Sequence, residues 1–140
     1  MDINLNNGKR VEIRTYMEED FPVIHKLNKK EGWNNLVKKQ EDAKEAWKQS
    51  NIAFVAYIEG KIIGYIRGMT DQAITTFICE LLIEKEFRGV GLGQNLLYYV
   101  HSLYPKTRVE MLASSTSQSY YEQQGYRPFY GFRKTLEEYE

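Results

Sequence analysis

The sequence predicts an α/β fold in which a mixed sheet carries helices on both of its faces. Strand-like and helix-like segments alternate along the chain, which is typical of layered folds of this class. One hairpin is almost continuously apolar, as expected for strands that are covered on both faces. We expect residues 1–140 to form a single domain, because this length suffices to bury one substantial core.

The first third of the chain predicts one strand and two helices. Val11–Arg14 alternates apolar and charged residues and predicts a strand. A helix should follow, with Asp20 as its N-cap and Pro22 in its first turn. Its buried face is predicted from apolar residues at helical spacing, Phe21, Ile24 and Leu27. Gly32–Asn35 should break this helix, and a second one should run from about Glu41 to Gln49.

A β-hairpin and a further strand occupy the middle of the chain. Ile52–Ile58 is rich in β-forming residues, Glu59-Gly60 makes the turn, and Lys61–Arg67 returns. Thr75–Ile83 predicts the next strand. We expect these strands to belong to one sheet.

The last third predicts two helices separated by a strand. One helix, ended by Pro105, has an apolar face formed by Leu92, Leu96, Val100 and Leu103. Arg108–Ala113 predicts a strand, and Ser115–Gln124 a short helix closed by Gly125 in the left-handed conformation. Tyr126–Lys134 predicts one final strand or a broken pair. The strand–helix–strand unit in this region should be a right-handed crossover.

The charge balance argues against two classes of partner. The 19 basic and 19 acidic side chains cancel, and no long run of one sign appears. Surfaces for nucleic acid or anionic membranes usually show a basic excess, so we expect neither partner. No apolar run approaches the ~20 residues that a membrane span requires.

Cysteine and histidine usage predicts a cytoplasmic, reduced protein without a metal. Cys79 is the only cysteine, which excludes an internal disulfide, and His25 and His101 leave too few ligands for a zinc site. The first residues do not combine a basic stretch with an apolar one, unlike a secretory signal. Because the chain begins with Met1, we expect a complete product.

The most informative segment joins a predicted strand to a predicted helix through a turn with Arg88 and the glycines at 89, 91 and 93. Glycines let backbone N–H groups approach a ligand closely, and a helix N-terminus adds partial positive charge. An arginine adds a fork of donors that suits a diphosphate. The turn therefore predicts a phosphate site, although a turn that merely lets a strand meet a helix explains the glycines equally well.

Two nucleotide-binding motifs fit this turn poorly. A dinucleotide fingerprint, G-x-G-x-x-G, that starts at Gly89 would need glycine where Gln94 stands. A P-loop would need Gly-Lys-Ser/Thr at the start of the helix, and that is absent. Neither motif therefore explains the turn, and the glycines alone leave a phosphate site and a purely structural turn equally open.

Arg88–Gly93 fits the pattern R/Q-x-x-G-x-G/A and so resembles the GNAT acetyltransferase superfamily, which binds the pyrophosphate of acetyl-CoA with this motif. Glu80–Arg88 resembles the strand and turn that precede the motif. Ser119–Tyr126 resembles the family's late helix, with its aromatic-Tyr-Glu-x-x-Gly-aromatic signature. The resemblance extends from about Val11 to Lys134 and implies a GNAT-type fold, a mixed and mostly antiparallel central sheet with helices on both faces.

The resemblance implies acetyl-CoA as the acyl donor and assigns main-chain groups to it. Backbone N–H groups near Leu82 and Ile83 would hold the pantetheine arm and the thioester carbonyl. Those that would hold the pyrophosphate belong to Arg88, Gly89, Val90, Gly91, Leu92, Gly93 and Gln94. The family often has Asn-x-x-Ala before the late helix, where this chain has Ser114 and Ser117, so a Ser114 hydroxyl would replace one amide contact.

Two side chains are candidates for acid–base catalysis. Glu80 interrupts an apolar strand and is a candidate general base, the alternatives being a structural carboxylate paired with Arg67 or an exposed one. The resemblance implies that the Tyr121 hydroxyl reaches the CoA sulfur as general acid or hydrogen-bond donor, whereas most of the 11 tyrosines must be packing residues. Cys79 should point away from Glu80 and is predicted to be a small buried hydrophobe.

The leading hypothesis is an N-acetyltransferase in which an acceptor amine attacks acetyl-CoA directly in a ternary complex. The alternatives are a non-catalytic acyl-CoA-binding module or sensor on the same fold, and an unrelated nucleotide-binding α/β protein. The acceptor, a small-molecule amine or a protein amine, stays open. A homodimer through the late strands is one use for the aromatic residues there, and packing inside the fold is the other: Tyr126, Phe129, Tyr130 and Phe132.

Overall fold

The computed structural model describes residues 1–139 and contains a six-stranded sheet whose strands lie side by side in chain order. The strands are β1 Asp2–Asn4, β2 Arg10–Thr15, β3 Ile52–Ile58, β4 Lys61–Thr70, β5 Thr75–Ile83 and β6 Arg108–Met111. The helices are α1 Phe21–Glu31, α2 Asn34–Lys38, α3 Gln40–Gln49, α4 Leu92–Leu103 and α5 Gln118–Gln123. The four successive pairs from β1–β2 to β4–β5 are antiparallel. The chain divides into two compact units, residues 1–110 and residues 111–140, and a single domain stays a prediction.

The central hairpin confirms the predicted strand β3 and its two-residue turn, whereas β4 continues past the predicted end at Arg67 to Thr70. Glu59 and Gly60 have φ angles of 47° and 84°, so both central residues of the turn are left-handed. Turns of this kind match the twist of the flanking strands and join β3 to β4 in two residues. Glu-Gly shares its second residue with the Asn-Gly and Asp-Gly pairs that favour such turns. Glycine at that position removes the steric cost of the left-handed conformation.

Helical layers cover both faces of the sheet. On one face α1 and α3 pack through a buried cluster formed by Phe21, Ile24, Leu27, Ala43, Trp47, Val55, Ile62, Tyr65 and Leu82. Neighbouring residues of a strand point to opposite faces. Phe54, next to Val55, accordingly contacts Tyr99 of α4 on the other face, with ring centroids 5.2 Å apart. The predicted α/β fold with helices on both faces is confirmed.

The start of α1 differs from its prediction in chemistry rather than in position. Asp20 precedes α1, but its carboxylate makes no cap hydrogen bond. It instead accepts two hydrogen bonds from Arg14, each 2.9 Å, and one from the Met17 N–H at 2.8 Å. A paired guanidinium is a stronger partner than a helix N–H. Burial opposes ionisation of Asp20, but these hydrogen bonds outweigh it and lower its pKa.

Several boundaries depart from the sequence-based expectations. Strand β1 and the short helix α2, which begins at Asn34 inside the predicted break, had no counterpart in the pattern. Strand β6 ends at Met111 rather than Ala113, and the range 126–134 forms no strand. Leu103 is exposed, because α4 ends there. Gly125, at a φ of 90°, has the predicted left-handed conformation. Within residues 1–139 we find no helix with the length and apolarity needed to cross a membrane.

Candidate coenzyme and acyl-transfer site

The glycine turn (Arg88–Gly91) brings β5 to the start of α4. Gly89 and Gly91 have φ angles of 77° and 91°, a region that side chains disfavour. Gly91 is the N-cap of α4, and its carbonyl accepts the first helical hydrogen bond, from the Asn95 N–H at 3.0 Å. The N–H groups of Leu92, Gly93 and Gln94 precede that bond and have no acceptor within the helix. The turn therefore ends in a set of free main-chain donors at the positive end of the helix dipole.

The glycine turn borders open space on one side and contacts other parts of the protein on the other. A Cβ at Gly89 would meet no atom within 4 Å, so this backbone borders open space. The Leu92 side chain is buried and anchors the first turn of α4 in the core, while Gln94 is exposed. On the side of the N-terminal hairpin, which β1 and β2 form, the Asn6 N–H donates to the Val90 carbonyl at 3.0 Å. An anion can approach such a turn without displacing a side chain at Gly89.

The Arg88 side chain does not stand free beside this space. Its Nε donates to the Ile83 carbonyl at 2.7 Å, and its Nη2 contacts a carboxylate oxygen of Glu31 at 2.5 Å. The Arg88 backbone N–H also has an acceptor, the Lys85 carbonyl at 3.3 Å. The guanidinium thus ties the turn to the end of β5 and to α1. The expectation of a free arginine fork aimed at a diphosphate is not what the structure displays.

Leu82 and Ile83 form the end of β5, directly before the turn. Leu82 is buried opposite Tyr65, and Ile83 pairs with Gly64. A Cβ at Gly64 would lie 2.8 Å from the Leu82 carbonyl oxygen, so only glycine lets β4 approach β5 this closely. The close fit holds the end of β5 in place next to the glycine turn.

Glu80 lies opposite Arg67 and forms an ion pair with it. Arg67 Nη2 and Nε donate to the two carboxylate oxygens at 2.6 and 3.1 Å. Each side chain keeps 13% of its surface exposed, and Arg67 Nη1 donates to the Ser50 hydroxyl at 3.1 Å. Burial opposes the charge on Arg67, but the hydrogen bonds to Glu80 and the negative charge of Glu80 together outweigh burial and raise the pKa of the guanidinium. The structural alternative proposed for Glu80 therefore describes its actual contact.

A β-bulge beside this pair was not expected from the sequence. Arg67 pairs with Glu80 and Gly68 pairs with Ile78, so Cys79 is an extra residue in β5. Gly68 is the signal that was available, since a Cβ there would lie 2.4 Å from the Phe77 carbonyl oxygen. A bulge disrupts the strict alternation that placed Cys79 opposite to Glu80. Cys79 is half-buried, and burial raises the pKa of its thiol.

Tyr121 and Ser114 belong to the second compact unit. The Tyr121 ring meets the rings of Tyr120 and Tyr126 edge-on, at centroid distances of 5.2 and 6.0 Å. Burial raises the pKa of Tyr121 above the ordinary value of 10.0, so its hydroxyl carries a proton at neutral pH. The Ser114 hydroxyl contacts the Ser117 hydroxyl at 3.1 Å, and its N–H donates to Ser117 Oγ at 3.0 Å. Together these serines form a hydroxyl-lined turn before α5.

A pocket of about 500 Å³ opens beside α3, at the end of β2 and the start of β3. It is lined by Thr15, Tyr16, Glu18, Glu41, Lys44, Glu45, Trp47, Lys48, Ser50 and Ala53. Ser50 connects this pocket to the Arg67–Glu80 pair through the hydrogen bond described above. No local pattern in the sequence predicts the pocket, because its wall comes from three separate elements that only the tertiary fold brings together.

The family to which the chain belongs is shown by its match to a family model. The model described as the acetyltransferase (GNAT) domain matches residues 12–137. The chain therefore belongs to the GNAT acetyltransferase family, whose members transfer an acyl group to an amine. Both the family predicted from the glycine turn and the late helix and the predicted class of enzyme, an N-acetyltransferase, are confirmed.

A curated relative and several solved structures agree with this family. Over 54 residues the chain is 39% identical to an uncharacterized N-acetyltransferase of Methanocaldococcus jannaschii, a match that covers 39% of this chain and 34% of that protein. The match thus spans about a third of the relative's length.

Two similar structures are a GNAT family acetyltransferase of Streptococcus pneumoniae and a putative GNAT acetyltransferase of Xanthomonas campestris. The first has 16% identity and a TM-score of 0.73, covering 89% of this chain and 96% of that one. The second has 18% identity and a TM-score of 0.74, with coverages of 91% and 94%. A third, an aminoglycoside acetyltransferase from an uncultured soil sample in complex with sisomicin, has 18% identity, a TM-score of 0.65 and coverages of 90% and 96%. At these identities the likeness shows the fold.

Proposed function

We propose that this chain is an acetyl-CoA-dependent N-acetyltransferase in which the acceptor amine attacks the acetyl thioester directly, in a ternary complex. The observation that carries the proposal is the glycine turn, with two left-handed glycines and the free N–H groups of the first turn of α4. These donors suit the diphosphate of a coenzyme A molecule, which is the phosphate-bearing donor expected in this family. Acetyl-CoA would supply an activated acetyl group.

The donors that would hold the diphosphate are the main-chain N–H groups from Gly89 to Gln94, and the open space beside Gly89 supports this assignment. The Arg88 N–H, the remaining donor of the predicted set, already donates to the Lys85 carbonyl. We therefore expect it to contribute least to binding of the diphosphate. Leu82 and Ile83 at the end of β5 would hold the pantetheine arm through backbone groups. Ser114, in its hydroxyl-lined turn, is proposed as a further coenzyme contact.

Acetyl transfer requires that the amine lose a proton and that the departing thiolate gain one. We assign the first role to Glu80, acting directly or through water. Each of its carboxylate oxygens accepts one Arg67 N–H, which leaves lone pairs for a second donor. We assign the second role to Tyr121, whose raised pKa keeps its hydroxyl protonated and able to donate.

The proposal is tested by titrating the chain with acetyl-CoA in a calorimeter and by following CoA release with a panel of amines. We expect binding of acetyl-CoA and of CoA, no comparable binding of ADP or NAD, and release of CoA that depends on one class of amine. If none of the coenzymes binds, the proposed function is wrong.

A second candidate is a non-catalytic acyl-CoA-binding module or sensor. The observation that favours it is the engagement of both Glu80 oxygens by Arg67, which is also what a purely structural carboxylate would show. The same experiment separates the two functions, because a sensor would bind acetyl-CoA without releasing CoA in the presence of any amine.

The acceptor class is an amine, and the pocket beside α3 is our candidate for the surface that receives it. It is large enough for a small molecule, carries three glutamates among its lining residues and connects to Glu80 through Ser50 and Arg67. One structural neighbour acts on aminoglycosides, so polycationic small molecules belong in the amine panel beside lysine-containing peptides.

Two finer points belong to the same proposal. A cytoplasmic location is supported by the unpaired thiol of Cys79, which suits a reducing compartment. A homodimer is supported by the exposed aromatic side chains of Phe129, Tyr130 and Phe132. Light scattering of the purified chain gives the oligomeric state directly, and a mass of one chain would remove the dimer.

A further inference from the structure

The loop between β1 and β2 lies against the glycine turn, a contact that the sequence pattern did not suggest. The Asn6 N–H donates to the Val90 carbonyl at 3.0 Å. The Asn6 side chain covers Gly91, and a Cβ at Gly91 would lie 3.4 Å from its amide nitrogen. The loop between β1 and β2 thus contacts the main chain of the glycine turn at the Val90–Gly91 peptide.

A peptide unit is planar and trans, so its C=O and N–H bonds point in opposite directions. The Val90 carbonyl and the Gly91 N–H belong to one such unit. When Asn6 holds the carbonyl, it also sets the direction of the Gly91 N–H, which points away from the hairpin. Among residues 1–139 no carbonyl accepts that N–H, so it is left for a ligand.

We propose that Asn6 is a positioning residue for coenzyme binding: its backbone N–H holds the Val90–Gly91 peptide so that the Gly91 N–H is aimed at the diphosphate before the coenzyme arrives. This inference rests on the proposed function. It assigns to the N-terminal hairpin a role in coenzyme affinity in addition to its place at the edge of the sheet.

The hairpin loop is stiff enough for this role. The Leu5 N–H donates to the Lys9 carbonyl at 2.8 Å, and the Gly8 N–H donates to the Leu5 carbonyl at 2.9 Å. The Leu5 side chain is buried, and the Asn7 side chain accepts the Lys9 N–H at 3.0 Å. A preorganised donor can orient its acceptor without a large loss of conformational entropy at binding.

The chain offers a matched pair of substitutions at this position. The Gly8 to Leu5 hydrogen bond defines a β-turn in which Asn6 is the first central residue, where proline is favoured. Asn6→Pro therefore removes the donor while keeping the turn, and Asn6→Ala removes the side chain while keeping the donor. The difference between the two variants isolates the N–H.

The experiment measures the affinities of wild type, Asn6→Pro and Asn6→Ala for CoA and for pantetheine, which lacks the diphosphate. We expect Asn6→Pro to bind CoA about tenfold more weakly than Asn6→Ala, the size of one hydrogen bond to a charged group. Pantetheine should bind both variants equally. Equal CoA affinities for the two variants, or parallel losses for CoA and pantetheine, would overturn the inference.

A second measurement does not depend on how well Asn6→Pro folds. In the wild-type chain labelled with nitrogen-15, the Gly91 amide resonance should move more on addition of CoA than on addition of pantetheine. An unmoved Gly91 resonance in a chain that binds CoA would overturn the inference and leave the proposed function standing. A wild-type chain that binds no CoA would overturn both.

Discussion

The glycine turn and the Glu80–Arg67 pair both involve strand β5, but the first is built from main-chain groups and the second from side chains. The turn offers main-chain N–H groups whose direction follows from two left-handed glycines and a helix start. The pair offers side chains that meet only because β4 and β5 align in one register. We therefore expect the affinity for the coenzyme to depend on the main chain of the glycine turn, and the turnover rate to depend on side chains.

The largest effect expected from this division is at a side chain of the second unit. Tyr121→Phe removes the proposed proton donor, and general acid catalysis typically contributes about 10²–10⁴-fold. We expect kcat to fall by at least about 10²-fold with little change in the affinity for CoA. Steady-state kinetics and calorimetry provide the two numbers.

Tyr120→Phe is the matched control for that substitution, because Tyr120 is the adjacent tyrosine and lies more exposed. Its kcat should stay near that of wild type. An unchanged kcat in Tyr121→Phe would remove Tyr121 from the mechanism and would break the division between affinity and turnover.

The next effect concerns stability at the ion pair. Arg67→Met leaves the Glu80 carboxylate without its partner in a site where 13% of the side chain is exposed, and breaking such a pair costs about 3 kcal/mol. We expect that loss in the free energy of unfolding, measured with urea. The double variant with Glu80→Gln should recover much of it, because no unpaired charge is then buried.

The Glu80→Gln variant also tests whether Glu80 acts in catalysis or only in the fold. If Glu80 accepts the amine proton, Glu80→Gln lowers kcat while CoA still binds. If Glu80 serves the fold alone, the free energy of unfolding falls while kcat stays near that of wild type.

The proposed diphosphate site at the glycine turn is tested with two glycines of similar conformation. Gly89 and Gly32 have φ angles of 77° and 79°, and a Cβ at either meets nothing within 4 Å. Alanine should therefore cost about 1 kcal/mol of stability at both positions. Only Gly89→Ala places a methyl group in the space assigned to the diphosphate, and we expect CoA to bind it about tenfold more weakly. Equal CoA affinities in the two variants would contradict the site.

A further effect, on the pH dependence of stability, lies away from both regions, at Asp20. Because its folded-state pKa is lowered, this carboxylate stabilises the fold above the ordinary aspartate pKa, and the stabilisation is lost as pH falls through the folded-state value. Asp20→Asn should cost about 1–2 kcal/mol at pH 7, and the difference from wild type should shrink as the pH is lowered below about 4. Urea unfolding at several pH values measures it, and a difference independent of pH would contradict the assignment.

Local signals predicted much of the fold. Strands β3 and β5 begin and end at the predicted residues, and α3 differs by one residue, because apolar runs, turn residues and helix formers act within a few positions of each other. The strand predicted over the exposed range 126–134 was wrong. Its aromatic residues fit a strand pattern, but the range pairs with no other strand. Strand β1 was also missed, because three residues carry too little periodicity to stand out.

Residue types and their spacings along the chain were enough to predict the family, the glycine turn and the order of most elements. The contacts that those residues make followed only from the folded structure. It paired Arg67 with Glu80 across a bulge, turned Arg88 towards Glu31, and set Asn6 against Val90. These contacts join residues 13 to 84 positions apart, and such distances are set by strand register and packing, which no local pattern encodes.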